Sequence, residues 1–247
     1  MCTLVLLHQV VPAAPLVVLA NRDEMLARPS LGPRLVRREV SVYCGVDAKE
    51  GGTWCGINDR GLFVGLTNLT VRAPDPARRS RGLLCLDMLG QASFDDVRRS
   101  VESIGTDAYN PFNLVVSDGR RALRVRYDGC ATVEMLGAGV HATTNWPRGS
   151  EGDEKRVWAE AQAARVAEAH SDLRGVLDGL ARVAATHERG GDPRASICCH
   201  VPGYGTRSAT LVAVTASGEP TYWYSDGPPC EAPFEDRTPL VRAAFVR

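Results

Sequence analysis

Apolar residues at the head of the chain come in short runs broken by turn residues. Thr3 to Val11 and Leu16 to Ala20 are rich in Val and Leu, with Pro12 and Pro15 between them. Runs of that length predict a buried β-hairpin. Trp54 to Ile57 and Leu62 to Thr67 flank Asn58-Asp59-Arg60-Gly61 and predict a second. Leu114 to Ser117 and Ala122 to Tyr127 flank Asp118-Gly119, the strongest short hairpin signal in the chain. Ala131 to Leu136 follows Asp128-Gly129, and Ala209 to Thr215 and Thr221 to Tyr224 flank Ser217-Gly218.

A different period fills the gaps. Arg81 to Gly90 carries Leu83, Leu84, Leu86, Met88 and Leu89 and reads as a helix. Ser93 and Asp96 make a capping-box-like start for a helix over Phe94 to Ile104. Glu154 to Ala169 is Ala- and Glu-rich, with high helix propensity. Leu173, Val176, Leu177, Leu180, Val183 and Ala184 form one apolar stripe at helical spacing. Groups of strands alternating with groups of helices predict an α+β fold, antiparallel sheets with helices on their outer faces, rather than a βαβ repeat. No linker, repeat or low-complexity run divides residues 1–247, so one domain is expected.

Two stretches invite other readings. Leu4 to Ala20 is apolar enough for a secretion signal, but it lacks a basic start and is interrupted by His8, Gln9, Pro12 and Pro15. It is also too short and broken to span a bilayer. Gly137-Ala138-Gly139-Val140-His141-Ala142 matches a dinucleotide-binding fingerprint, which needs a helix to start there. Thr143-Thr144-Asn145-Trp146-Pro147 follows instead, so the glycines are read as a turn.

Charge narrows the classes of partner. Lys+Arg and Asp+Glu both number 29, which gives no electrostatic reason to bind nucleic acid or an anionic membrane. Arg dominates the cations; Lys49 and Lys155 are the only lysines. The eight Cys show no C-x-x-C pair, and Cys198 and Cys199 are adjacent. Cys44, Cys55, Cys85 and Cys130 lie in apolar stretches and are expected to be buried, reduced thiols, as in a cytoplasmic protein. His8, His141, His170, His187 and His200 show no metal-ligand spacing, so no metal site is argued. No cofactor is called for.

The chemistry concentrates at the start. In Met1-Cys2-Thr3 the small second residue favours removal of Met1, leaving a free α-amine on a thiol-bearing residue. An amine titrating at about 7.7–8.0 can take the thiol proton, so nucleophile and base share one residue. Asn21-Arg22-Asp23-Glu24 follows directly on the second strand of the first hairpin, and pairing returns this cluster to Cys2. An Arg and an acid there can orient the amine and tune the thiolate.

Further segments carry a resemblance. They are Met1-Cys2, Asn21-Arg22-Asp23-Glu24, Arg28-Pro29, Gly51-Gly52-Thr53-Trp54, Thr67-Asn68, Tyr109-Asn110 with Phe112-Asn113-Leu114, Thr144-Asn145 and Pro202-Gly203-Tyr204-Gly205-Thr206-Arg207. In this order, along nearly the whole chain, they identify it as a member of the NRDE, or transport-and-Golgi-organisation, family. That family is similar to the choloylglycine-hydrolase and penicillin-acylase group of N-terminal cysteine hydrolases. The resemblance implies an αββα sandwich: two antiparallel sheets packed together with helices outside. It implies Cys2 as nucleophile, Asn68 and Asn145 as oxyanion-side amides, Arg207 as an active-site cation, and Arg22 and Asp23 in support. Asn21, Glu24, Trp54 and Tyr204 are candidate substrate contacts. The hydrolase group carries Arg-x-x-Asp at the Asn21–Glu24 stretch, and an ungapped comparison sets Glu24 at the acid, so Asp23 and Glu24 both stand as candidates.

Two functions follow as expectations. One is hydrolysis of a linear amide, or acyl transfer, through an S-acyl intermediate on Cys2. The other is a non-catalytic carrier of haem or acyl-CoA, ligands that the family resemblance implies; Cys198, Cys199, His200 and Tyr204 would be the nearby candidates for a haem ligand. Either partner is a small molecule. The sequence leaves the oligomeric state open.

Overall fold

The computed structural model describes residues 2–36, 39–70, 73–147, 149–150, 153–187 and 193–246. In chain order the elements begin β1 (Thr3–Val11), β2 (Ala14–Met25), β3 (Ser30–Val36), β4 (Val42–Asp47), β5 (Cys55–Asn58) and β6 (Phe63–Asn68). Helices α1 (Arg81–Leu89) and α2 (Phe94–Glu102) follow. Then come β7 (Phe112–Ser117), β8 (Ala122–Tyr127), β9 (Ala131–Leu136) and β10 (Gly139–Thr144). Helices α3 (Glu154–Ala169) and α4 (Leu173–Ala184) precede β11 (His200–Val201), β12 (Tyr204–Val214), β13 (Pro220–Ser225), β14 (Glu235–Asp236) and α5 (Thr238–Phe245).

The strands form two antiparallel sheets. One runs β10-β1-β2-β12-β13-β14, with β11 paired to β12; the other runs β3-β4-β5-β6-β7-β8-β9. Strand alternation builds the layers. Along β1, Leu4 and Leu6 point between the sheets, where they meet Ile57, Phe63 and Val115. Val5 and Leu7 point the other way, against Ala159, Ala163, Val176 and Leu180 of α3 and α4. Helices α1 and α2 cover the outer face of the second sheet through Leu84, Leu89, Val97 and Val101. The result is helix, sheet, sheet, helix. Strands buried on both faces explain why the first hairpin is an almost unbroken apolar run. At the expected cap of α2, the Ser93 hydroxyl accepts from the Asp96 amide at 3.2 Å.

Three readings change. Strands β3, β4 and β10 lie outside the strongest sequence signals. In β3, Gly32 and Pro33 break the apolar pattern and the strand is an edge. Of the glycine-rich Gly137–Ala142 stretch, only the start is a turn; Gly139 onwards is β10, held by six-residue pairing to β1. Cys130 is exposed, because it sits in the tight connection between β8 and β9. The other three apolar-stretch cysteines, Cys44, Cys55 and Cys85, are buried free thiols.

Candidate active site

Strand register assembles the site. Thr3 pairs with Asn21 of β2 on one side and Thr144 of β10 on the other. One step further out, Cys2 therefore falls between Arg22 and Asn145. The second sheet is tied in at the same level. Thr67 Oγ1 donates to the Thr144 carbonyl at 3.2 Å, and Asn113 Nδ2 donates to the same carbonyl at 3.0 Å. This fixes the end of β6, and Asn68 beside it, against the end of β10. The expected return of the Asn21–Glu24 cluster to Cys2 is present in the structure.

A buried network stands behind Cys2. Cys2 Sγ lies 3.7 Å from the Asp23 carbonyl oxygen, which also accepts from the Tyr204 hydroxyl at 3.1 Å. The Asp23 carboxylate accepts from Thr206 Oγ1 at 2.6 Å and meets Lys155 Nζ at 3.3 Å. Both charged side chains of that pair are inaccessible, at 0% and 1% exposure. Thr206 Oγ1 in turn accepts from the Cys199 amide at 2.8 Å. Successive residues of β2 face opposite ways, so Glu24 points to the cleft rim instead, 4.0 Å from Arg22 and 3.7 Å from Arg28. Asp23 is thus the buried acid beside Cys2, and Glu24 is a rim acid.

Two clefts meet here. The first, of about 410 Å³, is lined by Cys2, Arg22, Asp23, Glu24, Trp54 and Asn68 among others, with a cationic edge from Lys49, Arg78, Arg79 and Arg81. The second, of about 630 Å³, is more apolar and is lined by Met25, Leu69, Trp146, Pro202, Tyr204 and Asn145. Asn68, Pro74 and Arg81 belong to both. The side chains of Asn68 and Asn145 make no hydrogen bond among the described residues, and Asn145 Oδ1 is buried without a partner. An amide at the wall of a cleft, unclaimed by protein groups, is free to serve a ligand.

Electrostatics at Cys2 pull in two directions. Burial pushes the thiol up from its ordinary value; the terminal ammonium opposes this, and Asp23 adds to it. Burial pushes the Arg81 guanidinium down, while Cys2 and Glu24 pull it up. Arg81 opens α1, so the positive end of that helix also faces the cleft. The approach of α1 depends on Gly52: a Cβ there would stand 2.2 Å from the Gly82 carbonyl carbon. The Thr53 amide then donates to the Gly82 carbonyl at 3.0 Å. Next to it, the Arg22 guanidinium lies over the Trp54 ring, 4.4 Å from its centroid.

Two candidates fall elsewhere. Asn21 faces the helical layer, where its Nδ2 donates to the carbonyls of Ala184 and Ile197 at 2.9 and 3.0 Å. It locks sheet to helix and does not line the clefts. Arg207 occupies the irregularity in β12 where Thr206 pairs with Asp23 and Ser208 with Arg22. Arg207 lines neither cleft, and its Nε is buried without a partner among the described residues. Arg22 and Arg81 are among the cations that line the clefts in its place. Sequence reasoning missed Arg81, Thr206 and Lys155. The rarity of lysine was the available signal for the last: one of two lysines in the chain is buried against the acid, and the other lines the cleft.

This four-layer arrangement of two antiparallel sheets between helices, with Cys2 at the start of an inner strand, is an N-terminal-nucleophile hydrolase-like fold. A conjugated bile acid hydrolase from Clostridium perfringens superposes with a TM-score of 0.61 at 13% identity, covering 96% of this chain and 93% of that one. Penicillin V acylase from Agrobacterium tumefaciens gives 0.57 at 14% identity, covering 92% and 83%. A Caenorhabditis elegans orthologue of N-acylethanolamine-hydrolyzing acid amidase gives 0.54 at 14%, covering 86% and 92%. The chain belongs to the Transport and Golgi organisation 2 family, whose sequence profile matches residues 1–224. It is 28% identical to the human Transport and Golgi organization protein 2 homolog over 235 residues, 84% of each chain. The bovine homolog is also 28% identical, over 239 residues. Among the described residues, no helix is long and apolar enough to cross a membrane.

Proposed function

We propose that the paired clefts form an acyl-transfer site in which Cys2, freed of Met1, attacks the carbonyl of a linear amide or other acyl substrate. The observation that carries this reading is the register that sets Cys2 between Arg22 and Asn145, with Asn68 shared by both clefts. The α-amine of Cys2 takes the thiol proton, and the thiolate adds to the carbonyl carbon. Amide groups of Asn68 and Asn145 donate to the resulting oxyanion. Collapse expels the leaving amine, which recovers the proton, and leaves an S-acyl enzyme for water or an acceptor to cleave. Asp23, neutralised by Lys155, holds the strand end that carries the nucleophile. The apolar cleft suits an acyl chain and the charged cleft a polar head. The acyl amides named for the structural neighbours (penicillin V, N-acylethanolamines and conjugated bile acids) are the first substrates to screen.

The test combines intact mass with labelling by substoichiometric iodoacetamide at neutral pH, followed by the substrate screen. Loss of Met1, preferential labelling of Cys2 and turnover abolished in Cys2→Ala support the proposal. Turnover that survives Cys2→Ala sinks it.

One observation favours a binding role on the same scaffold: burial raises the Cys2 thiol, which disfavours thiolate. Lys49 and Arg81 at the cleft edge suit an acyl ligand with a phosphate-bearing head, such as acyl-CoA, while Arg78 and Arg79 are held by Asp107 and Asp87. For haem, three of the four candidate ligands are already engaged: Tyr204 donates to the Asp23 carbonyl, and Cys198 and His200 contact each other. Titration with acyl-CoA and with haem, on Cys2→Ala as well as the parent chain, separates carrier from enzyme.

A further inference from the structure

Away from the Cys2 clefts, four residues distant in sequence converge. His187 follows the end of α4, Cys198 and His200 lie at the entry to β11, and Cys230 lies in the connection from β13 to β14. Their ligand-type atoms all lie within 4.8 Å of one another. Cys198 Sγ stands 3.6 Å from Cys230 Sγ and 3.5 Å from His200 Nε2, and His200 Nε2 stands 3.3 Å from Cys230 Sγ. The His187 and His200 rings are 5.0 Å apart.

These separations have a specific chemical match. Tetrahedral zinc, with Zn–S of about 2.3 Å and Zn–N of about 2.0 Å, holds its ligand atoms about 3.8 Å apart for S–S, 3.5 Å for S–N and 3.3 Å for N–N. A sulfur pair at 3.6 Å is too far apart for a disulfide of about 2.05 Å, and a disulfide would not explain two imidazoles facing the same point. Among the described residues this is the one group of three or more His, Cys, Asp or Glu gathered closely enough to hold an ion. Neither histidine spacing nor a C-x-x-C pair announces it, because the ligands come from three separate connections.

We infer that His187, Cys198, His200 and Cys230 form a structural Cys2His2 site for zinc or a similar divalent ion. Binding requires both thiols to ionise, so two protons leave as the cation arrives, and the imidazoles bind neutral. Four protein ligands close the coordination sphere, leaving no position for substrate; the role is to staple. Three connections distant in sequence would be joined at one point. The staple acts near the Cys2 network. The Cys198 amide donates to the Thr186 carbonyl at 2.9 Å, and the Cys199 amide donates to Thr206, which holds Asp23. The inference stands independently of catalysis, since a carrier would need the same support.

The test starts with the full chain purified under reducing conditions without chelator. Zinc is measured by elemental analysis and native mass, and cobalt is substituted to read thiolate-to-metal charge transfer and tetrahedral d–d absorption. The expected result is one zinc per chain, kept in the control Cys130→Ser, which removes an exposed thiol elsewhere. Cys230→Ser and His187→Ala are expected to retain less than a tenth of it. Both replace solvent-side ligands, and circular dichroism checks that they fold. Metal-free protein, whether Cys198 and Cys230 are free thiols or a disulfide by non-reducing peptide mass, overturns the inference. So does zinc that the ligand variants retain in full, or a cobalt spectrum without thiolate charge transfer.

Discussion

Lys155 on the first turn of α3 places its ammonium 3.3 Å from the Asp23 carboxylate of β2, and neither side chain reaches solvent. The pair bolts the helical layer to the strand end that carries the site. Removing the cation while keeping the acid leaves a buried charge without its counter-ion, a change that costs about 3–5 kcal/mol. Lys155→Met is therefore expected to lose that much in guanidinium unfolding. The double variant Asp23→Asn/Lys155→Met is expected to cost less than the two single changes added, because no lone charge remains. Additive losses would remove the pair from its assigned role.

Gly45 of β4 lies close against the Trp54 ring, which also carries the Arg22 guanidinium. A Cβ at position 45 would stand 2.4 Å from a Trp54 ring carbon. The ring must then shift and take Arg22 with it. Gly45→Ala is expected to cost about 1–3 kcal/mol by overpacking and to change both tryptophan emission and the alkylation rate of Cys2. Stability lost without any change at Cys2 would show that Trp54 and Arg22 do not communicate with that thiol.

Asn68 is half-exposed and makes no side-chain hydrogen bond among the described residues, so its removal has little to destabilise. If it serves the oxyanion, Asn68→Ala lowers kcat by about 10²–10³-fold with KM little changed. Its unfolding midpoint is expected to stay within a few tenths of a kcal/mol of the parent. A rise in KM alone would make Asn68 a substrate-binding residue instead.

What the sequence could and could not disclose follows from physical range. Hairpins and helices rest on local period, and their positions were legible: α3 and α4 appear over the expected residues, and Cys2 returns to Asn21–Glu24 because pairing of one hairpin fixes the register. Lys155 was hidden because α3 buries only the narrow stripe Lys155, Ala159 and Ala163, and propensity says nothing of which face turns inward. The position of Arg207 outside both clefts was hidden because a single irregularity between Thr206 and Ser208 interrupts the alternation of β12. The His187, Cys198, His200 and Cys230 cluster depends wholly on tertiary placement of three connections.

Removal of Met1 brings the ammonium onto Cys2 itself, and this separates two forms of the protein. With Met1 retained, burial holds the thiol above its ordinary value, so iodoacetamide labelling rises with pH to a midpoint above that of an exposed cysteine. With Met1 removed, the closer positive charge favours thiolate, and the midpoint is expected to move down. Preparing both forms, and following the labelling rate of Cys2 by peptide mass from pH 6 to 10, reads the difference directly. Identical profiles would mean that the amine does not act on the thiol.

The buried thiols set a limit on alkaline stability. Burial pushes Cys55 up to about 12 and Cys85 well above its ordinary value. In the unfolded chain both ionise near about 8.5. Their folded values are raised, so their contribution is fully present below pH 8.5 and is lost progressively as pH climbs toward 12. At pH 10 Cys55 is expected to subtract roughly 2 kcal/mol relative to pH 7, and Cys85 acts in the same direction. Guanidinium unfolding at pH 7, 9 and 10 is expected to show a falling midpoint. The slope is expected to be shallower in Cys85→Ala, even though that variant starts lower at pH 7 from the space left in the α1 layer. An equal slope in parent and variant would assign the alkaline loss to other groups, first among them Tyr222, whose hydroxyl burial raises well above its ordinary value.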